Sequence, residues 1–175
     1  NSFEFYRYED IIKKEDDAGY DKTAFEKMLE IKGDSDHTKL IDMLTDLNDY
    51  SIGIEDVLKE HFDEENIVYW MAFQILMGNV DTQNRNVYLY SPLNSDIWYF
   101  IAWDNDGCLM RSEYELKNFS DQGSWEKGIS NYWGNVLFQR CLKSRSFREK
   151  LNDAILELRE YLNKDMLISK IESYK

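Results

Sequence analysis

Apolar residues recur along this chain at two spacings. Phe25, Met28 and Leu29 fall on one helical face, with Asp21 placed to cap the start and Gly33 to stop the end, so residues 23–31 are predicted helical. Residues 38–48 repeat the pattern through Leu40, Ile41, Leu44 and Leu47, and a shorter helix is predicted over 54–61. The strongest helical signal covers 64–77. Asp63 is its N-cap, Glu64 and Glu65 put negative charge in its first turn, and Gly78 follows its end. From Ile67 to Met77 this helix is apolar nearly all round, Gln74 excepted, which places it in the centre of a fold.

The period then shortens. Asn86 to Ser91 alternates around Val87 and Leu89, and Asp96 to Trp103 is rich in Ile, Trp, Tyr and Phe. Ser91-Pro92-Leu93-Asn94-Ser95 supplies a turn between them, so the two segments form a β-hairpin with a polar loop at each outer end. An irregular stretch is expected near 107–124. Helices resume over 131–143, with Trp133, Val136, Leu137 and Leu142. Ser146-Phe147-Arg148-Glu149 reads as a capping box opening a helix to about Leu162, and a last helix covers 165–174. The order is helices, hairpin, helices: a mostly helical α+β fold with a small antiparallel insert. No repeat or linker is evident, so residues 1–175 are taken as one domain.

Charge removes several functions from consideration. Lys and Arg number 21 against 34 Asp and Glu, a net charge of −13, which opposes binding by neutralisation of nucleic-acid phosphates or docking on an anionic membrane. Apolar residues at 43% are enough for a sizeable core, yet no run is long enough to cross a membrane. Cys108 and Cys141 make neither a disulfide framework nor a zinc motif. They could bridge or stay as thiols, and their apolar neighbours favour thiols. The opening Asn1-Ser2-Phe3-Glu4 is no signal peptide and lacks Met, so a mature product or an excised piece is expected.

The chemistry lies in the loops flanking the hairpin. The first runs Gly78-Asn79-Val80-Asp81-Thr82-Gln83-Asn84-Arg85-Asn86 and the second Trp103-Asp104-Asn105-Asp106-Gly107. A hairpin brings its open ends together, so Asp81, Asn86, Asp104 and Asp106 are expected to converge. Phosphoryl transfer needs a carboxylate to receive the attacking hydroxyl's proton and oxygen ligands for Mg²⁺ on the nucleotide phosphates. Protein kinases supply these as Asp-x-x-x-x-Asn followed by a metal-binding Asp beyond a hairpin. Asp81 and Asn86 have that offset, and Asp104 has that place.

Simpler accounts compete. Asp and Asn are the ordinary residues of turns, and either loop alone fits that role. Asp104, Asp106, Gly107 and Glu113 match positions 3, 5, 6 and 12 of a calcium loop, but Ala102 would stand at position 1 without a ligand atom. His61 and Glu65 could meet across a helix start, where a solvated helix end is the plainer account. The aromatics Trp70, Tyr88, Trp98, Tyr99, Trp103 and Trp133 are assigned to the core rather than to a ligand platform, and the Asn118-Phe119-Ser120 sequon is common by chance.

With these residues in view, the chain resembles the spore-coat protein H (CotH) family of atypical protein kinases. Gly78-Asn79-Val80-Asp81, then Asn86-Val87-Tyr88-Leu89-Tyr90, then Ala102-Trp103-Asp104-Asn105-Asp106 carry the resemblance. Leu137 to Leu142 and Ser146 to Lys150 look like the family's closing helices, so the similarity spans about 55–162. It implies a protein-kinase-like C-terminal lobe, ATP, Mg²⁺ (or Mn²⁺), and phosphorylation of Ser or Thr in a protein. By position it implies Asp81 as the catalytic residue, Asn86 and Asp104 as nucleotide- and metal-binding residues, and Asp106 as a further metal ligand.

No Gly-rich loop and no Val-Ala-Ile-Lys-like strand is found upstream, where residues 3–20 are short and acidic. The chain is therefore expected to be part of a larger kinase domain whose N-terminal nucleotide lobe is missing, and to be inactive alone. Two functions are weighed. One is the catalytic lobe of a protein kinase acting on a coat or surface protein. The other is a non-catalytic coat or cell-surface attachment module on the same fold. Either implies a monomer, binding neither nucleic acid nor membrane, at a spore coat, at a cell surface or outside the cell.

Overall fold

A helix that is apolar on every side has to be wrapped, and the segment from Glu64 to Leu76 is. The computed structural model describes residues 36–79, 86–108 and 135–174, with a few positions between Asp16 and Ala24. In chain order the described elements are α1 (Thr38–Asn48), α2 (Ile54–His61), α3 (Glu64–Leu76), β1 (Tyr88–Tyr90), β2 (Tyr99–Ile101), a 3₁₀ turn at Asn105–Gly107, α4 (Val136–Lys143), α5 (Arg145–Tyr161) and α6 (Lys164–Ser173). The fold is α+β and mostly helical, with one two-stranded antiparallel sheet, as the hydrophobic pattern predicts.

Helix α3 starts and stops where its sequence says. The Asp63 side chain accepts from the Asn66 N–H at 2.9 Å, with Glu64 and Glu65 behind it. At the other end Gly78 turns left-handed, φ 62°. Its N–H donates to the Ile75 carbonyl at 3.1 Å and the Asn79 N–H to the Gln74 carbonyl at 3.0 Å, the paired bonds of a Schellman cap. Between the caps Ile67, Met71 and Ala72 are fully buried, and Val68, Trp70 and Gln74 are buried too. Burying each large side chain contributes about 1.5–3 kcal/mol.

Helix α5 covers one side with a narrow stripe of Phe147, Leu151 and Ala154, spaced i, i+4, i+7. Lys150 pairs with Glu64 at 2.6 Å across this contact, and the Tyr69 hydroxyl donates to Glu157. Strand β2 covers another side. Its inward Phe100 lies 4.7 Å from the Trp70 ring and 5.7 Å from that of Phe138 on α4, close enough for offset aromatic packing.

The hairpin pairs Tyr88 with Ile101, Leu89 with Phe100 and Tyr90 with Tyr99. The outer edge of β2 is satisfied without a third strand. The Trp98 N–H donates to the His61 carbonyl at 2.8 Å, and the Trp98 carbonyl accepts from the Asp63 N–H at 3.2 Å. The Asn66 amide then acts as a short strand of its own, accepting from the Phe100 N–H at 2.7 Å and donating to the Phe100 carbonyl at 3.1 Å. Lys39 of α1 ties the closed end, its Nζ donating to Ser91 Oγ at 3.1 Å and to the Pro92 and Ser95 carbonyls at 2.7 and 2.5 Å.

Arg140 of α4 does similar work for α1. Buried, it donates to the carbonyls of Leu47, Asp49 and Ile52 and lies 5.0 Å from the Tyr50 ring centroid. A cation thus answers the carbonyl end of α1, whose own last turn has no basic residue.

Several boundaries differ from the sequence pattern. The helix expected over 131–143 begins at Val136, because Asn135 is extended and its side chain accepts from the Phe138 N–H. The helix expected to open at Ser146 opens at Arg145. Ser144 is the cap, accepting from the Phe147 N–H at 3.1 Å, so Ser146 and Glu149 form no capping box. The last helix gains Asn163 as its cap. His61 is no solvated helix end: it is buried, and its Nε2 lies 2.7 Å from Asp46 Oδ2. Cys108 and Cys141 are free thiols, Cys141 fully buried and Cys108 half-buried. Most of the predicted helix 23–31, the stretch 109–124, Trp133 and the Asn118 sequon lie outside the described residues.

Two stability measurements check this account. Asn66→Ala leaves a buried N–H and carbonyl of Phe100 unanswered and is expected to cost about 2–3 kcal/mol in urea unfolding, against under about 1 kcal/mol for an exposed helix position. The second concerns Glu55. Donation from the Ser144 hydroxyl holds its carboxyl below the ordinary 4.5, with a backbone bond helping. A carboxyl lowered by folding adds stability above its unfolded pKa and loses it as pH falls through the folded value. The stability gap between the wild type and Glu55→Gln is therefore expected to be constant above pH 5.5 or so and to close on acidification below about 4.5. A pH-independent gap would leave Glu55 without that role.

Candidate functional site

The open end of the hairpin carries Asn86 before one strand and Asp104 after the other. Continuing the β1–β2 register outward from the Tyr88–Ile101 pair brings Asn86 level with Trp103, one residue short of Asp104. The Tyr88 and Trp103 rings stack there, centroids 5.6 Å apart at 29°. Asp81 lies outside the described residues, so its expected convergence with Asn86 and Asp104 rests on the sequence alone. Asn86, Asp104 and Asp106 are described. Asn86 is half-buried at the start of the hairpin, Asp104 is exposed just before the 3₁₀ turn, and Asp106 is exposed within it.

Two of these residues share an unusual backbone. Asn86 has φ 52° and Asp104 φ 51°, and among the described residues no other non-glycine has positive φ. The left-handed region costs an ordinary L-residue roughly 1–2 kcal/mol, less for Asn and Asp, whose short side chains tolerate it. The bend at Asp104 turns the chain out of β2 into the 3₁₀ turn, where the Cys108 N–H donates to the Asn105 carbonyl at 3.1 Å.

Beside the 3₁₀ turn lies a polar cluster that no short motif marks. Asn105 Oδ1 accepts from Gln74 Nε2 at 3.2 Å and from Asn79 Nδ2 at 3.1 Å. Gln74 and Asn79 are buried completely or nearly so, at 0% and 1% exposure. The α3 cap explains their meeting, since a Schellman turn brings the residue after its glycine back beside the fifth residue before it. The sequence does carry a sign of it: Gln74 is the one polar residue in an otherwise apolar run. The Gln74 Oε1 atom has no partner among the described residues, a state that costs about 1–3 kcal/mol.

Cys108 closes the same corner. Burial pushes its thiol up, Asn79 donating to the sulfur pulls it down, and the Asp106 charge pushes it up again, with burial the largest effect. Burial thus favours the protonated thiol. What remains is oxygen: the Asn86 amide and the Asp104 and Asp106 carboxylates. Oxygen donors fit a hard cation of the Mg²⁺ class and not zinc. Among the described residues no three His, Cys, Asp or Glu side chains group as a metal site, so neither His61 with Glu65 nor the carboxylates alone make one.

One assignment needs correction. Trp70 is in the core, but Tyr88 and Trp103 are exposed, as are Tyr90 and Ile101. Strand alternation decides this: Leu89 and Phe100 face α3, so their neighbours face out. An aromatic face therefore adjoins the acidic loops.

A mostly helical α+β chain with oxygen-bearing loops at one open hairpin end is the class that fold and loops define. The family model described as CotH kinase protein matches residues 2–175, and the chain belongs to that family. The match extends well beyond the 55–162 carried by the loops and closing helices. No curated protein and no solved structure matches the chain.

The left-handed turns give a test. Asn86→Gly is expected to unfold within about 0.5 kcal/mol of wild type, relief of the backbone offsetting the freer unfolded chain, whereas Asn86→Val should cost about 1–2 kcal/mol. Equal losses in urea titrations of the two variants would show that the backbone conformation does not decide the matter.

Proposed function

We propose that this chain carries the catalytic loops of an ATP- and Mg²⁺-dependent protein kinase that phosphorylates Ser or Thr of a protein. The observation that carries the proposal is the open hairpin end, where Asn86 and Asp104 are both held left-handed beside an exposed aromatic pair. Unfavourable backbone is kept at functional sites when the surrounding structure enforces it. Family membership supports the same activity class.

In this proposal Asp81 accepts the proton of the attacking hydroxyl and orients it toward the phosphate. Asn86 and Asp104 would hold the metal through their side-chain oxygens, with Asp106 adding a carboxylate next to them. A bound divalent ion would neutralise charge on the phosphates, which a chain of net charge −13 otherwise repels. Tyr88 and Trp103 offer a flat apolar surface beside the loops, suited to a nucleotide base, and such stacking contributes about 1–3 kcal/mol. The protein substrate is a coat or surface protein, the kinase acts as a monomer, and its place is the spore coat, the cell surface or the exterior.

The proposal is tested by phosphotransfer from radiolabelled ATP in the intact kinase that contains this sequence. Asp81→Ala and Asp104→Ala should each lower transfer by at least about 100-fold, the scale of a lost catalytic base or phosphate clamp, with melting unchanged. Full transfer by a folded Asp104→Ala protein would overturn the assignment.

A further inference from the structure

Three side-chain amides meet between the end of α3 and the 3₁₀ turn, and the packing of the core does not call for them. Gln74 belongs to a helix otherwise buried in apolar residues, and its Oε1 has no partner among the described residues. Stability alone would favour an apolar side chain there, since a buried acceptor without a donor is a net loss. What the amides join is telling. Gln74 ends α3, Asn79 begins the loop that leads to Asp81, and Asn105 follows Asp104 directly. Asn105 Oδ1 takes both donors at 3.2 and 3.1 Å, so a single atom of the second loop is pinned to the base of the first.

We propose that Gln74, Asn79 and Asn105 are positioning residues that hold Asp104 in register with the C-terminal end of α3, so that its carboxylate is preset for a metal ion. This rests on the reading of Asp104 as a metal-holding residue. Acting through Asp104, none of the three has to touch substrate. They act by fixing the residue after Asp104 through its side chain, while the Asn105 carbonyl, accepting from the Cys108 N–H at 3.1 Å, closes the turn on the far side. The Asp104 backbone at φ 51° is thus held between two anchored segments, the strand pairing at Ile101 and the amide cluster at Asn105. Loss of the cluster would let that strained residue relax.

The test sets stability against position. Gln74→Met keeps volume and helix propensity and removes both the donor and the acceptor that has no partner among the described residues. A merely structural Gln74 predicts a variant that melts lower. A positioning role predicts melting at or above wild type, with Mn²⁺ binding, followed by the paramagnetic signal of the ion alone, weakened about five- to tenfold, the scale of one lost net hydrogen bond. Asn79→Leu should behave likewise. Native-state amide exchange at Cys108 gives a second readout that needs no metal: it should speed up about tenfold in Gln74→Met while amides in the middle of α3 are unchanged. Unchanged Cys108 exchange in the folded Gln74→Met protein overturns the proposal. Asp104→Asn separates the two ideas. If it binds Mn²⁺ as well as wild type does, the metal assignment of Asp104 fails, and the exchange measurement still decides whether the cluster orders the loop.

Discussion

Helix α3 buries most of its middle, so the amides at Asn66 and Gln74 meet protein partners in the segments packed around it. That constraint organises the described structure. Asn66 and Gln74 are eight residues apart, a little over two turns, and so lie about a quarter-turn apart around the helix. Asn66 answers the backbone of β2 at Phe100, and Gln74 answers Asn105 just beyond the end of that strand. One helix thus grips the same stretch of chain with two side-chain amides, at the Phe100 main chain and at the Asn105 side chain. The apolar surface of α3 supplies the energy of the fold, and its two amides supply the alignment.

A two-stranded hairpin is marginal by itself. Here its edge is closed by the turn between α2 and α3 and by Asn66, its inward side by the rings of Trp70 and Phe138, and its closed end by Lys39. With the closed end tied to α1 and the strands tied to α3, the open end has little freedom to choose where it points. Asn86 and Asp104 inherit their positions from contacts made by residues that have no part in any chemistry. Loops held on a rigid scaffold are how binding residues are usually placed.

The architecture was legible because its periods are clean. The caps at Asp63 and Gly78, the apolar circumference of α3, and the alternation of Val87, Leu89 and Phe100 each follow from local rules that the tertiary structure does not override. Where the local rules misled, a neighbouring residue made a stronger claim. Ser144 outcompetes Ser146 as a cap, its hydroxyl serving the Phe147 N–H and Glu55 at once. His61 looks like a helix end in sequence, but Asp46, fifteen positions earlier, comes to meet it. The family was legible from the type and offset of the loop residues. The amide cluster was not, because it depends on a C-cap folding Asn79 back beside Gln74 and on a strand ending at the right height to present Asn105. Neither distance is written in any short motif.

The outward face of the hairpin sharpens the functional argument. A sheet with one side on the core normally turns polar residues to water on the other. Tyr88, Tyr90, Ile101 and Trp103 are exposed instead, on a chain whose surface is otherwise strongly acidic. Polar β-formers such as Thr would satisfy the strands as well, so neither strand formation nor solubility explains the aromatic choice. The face ends where the oxygen-bearing loops begin, and Trp103 is bonded directly to Asp104. An apolar platform followed at once by hard-ligand oxygens is matched by a ligand flat and weakly polar at one end and anionic with a bound cation at the other. A nucleotide with its metal has that polarity, and the proposed kinase activity would give the aromatic face a purpose.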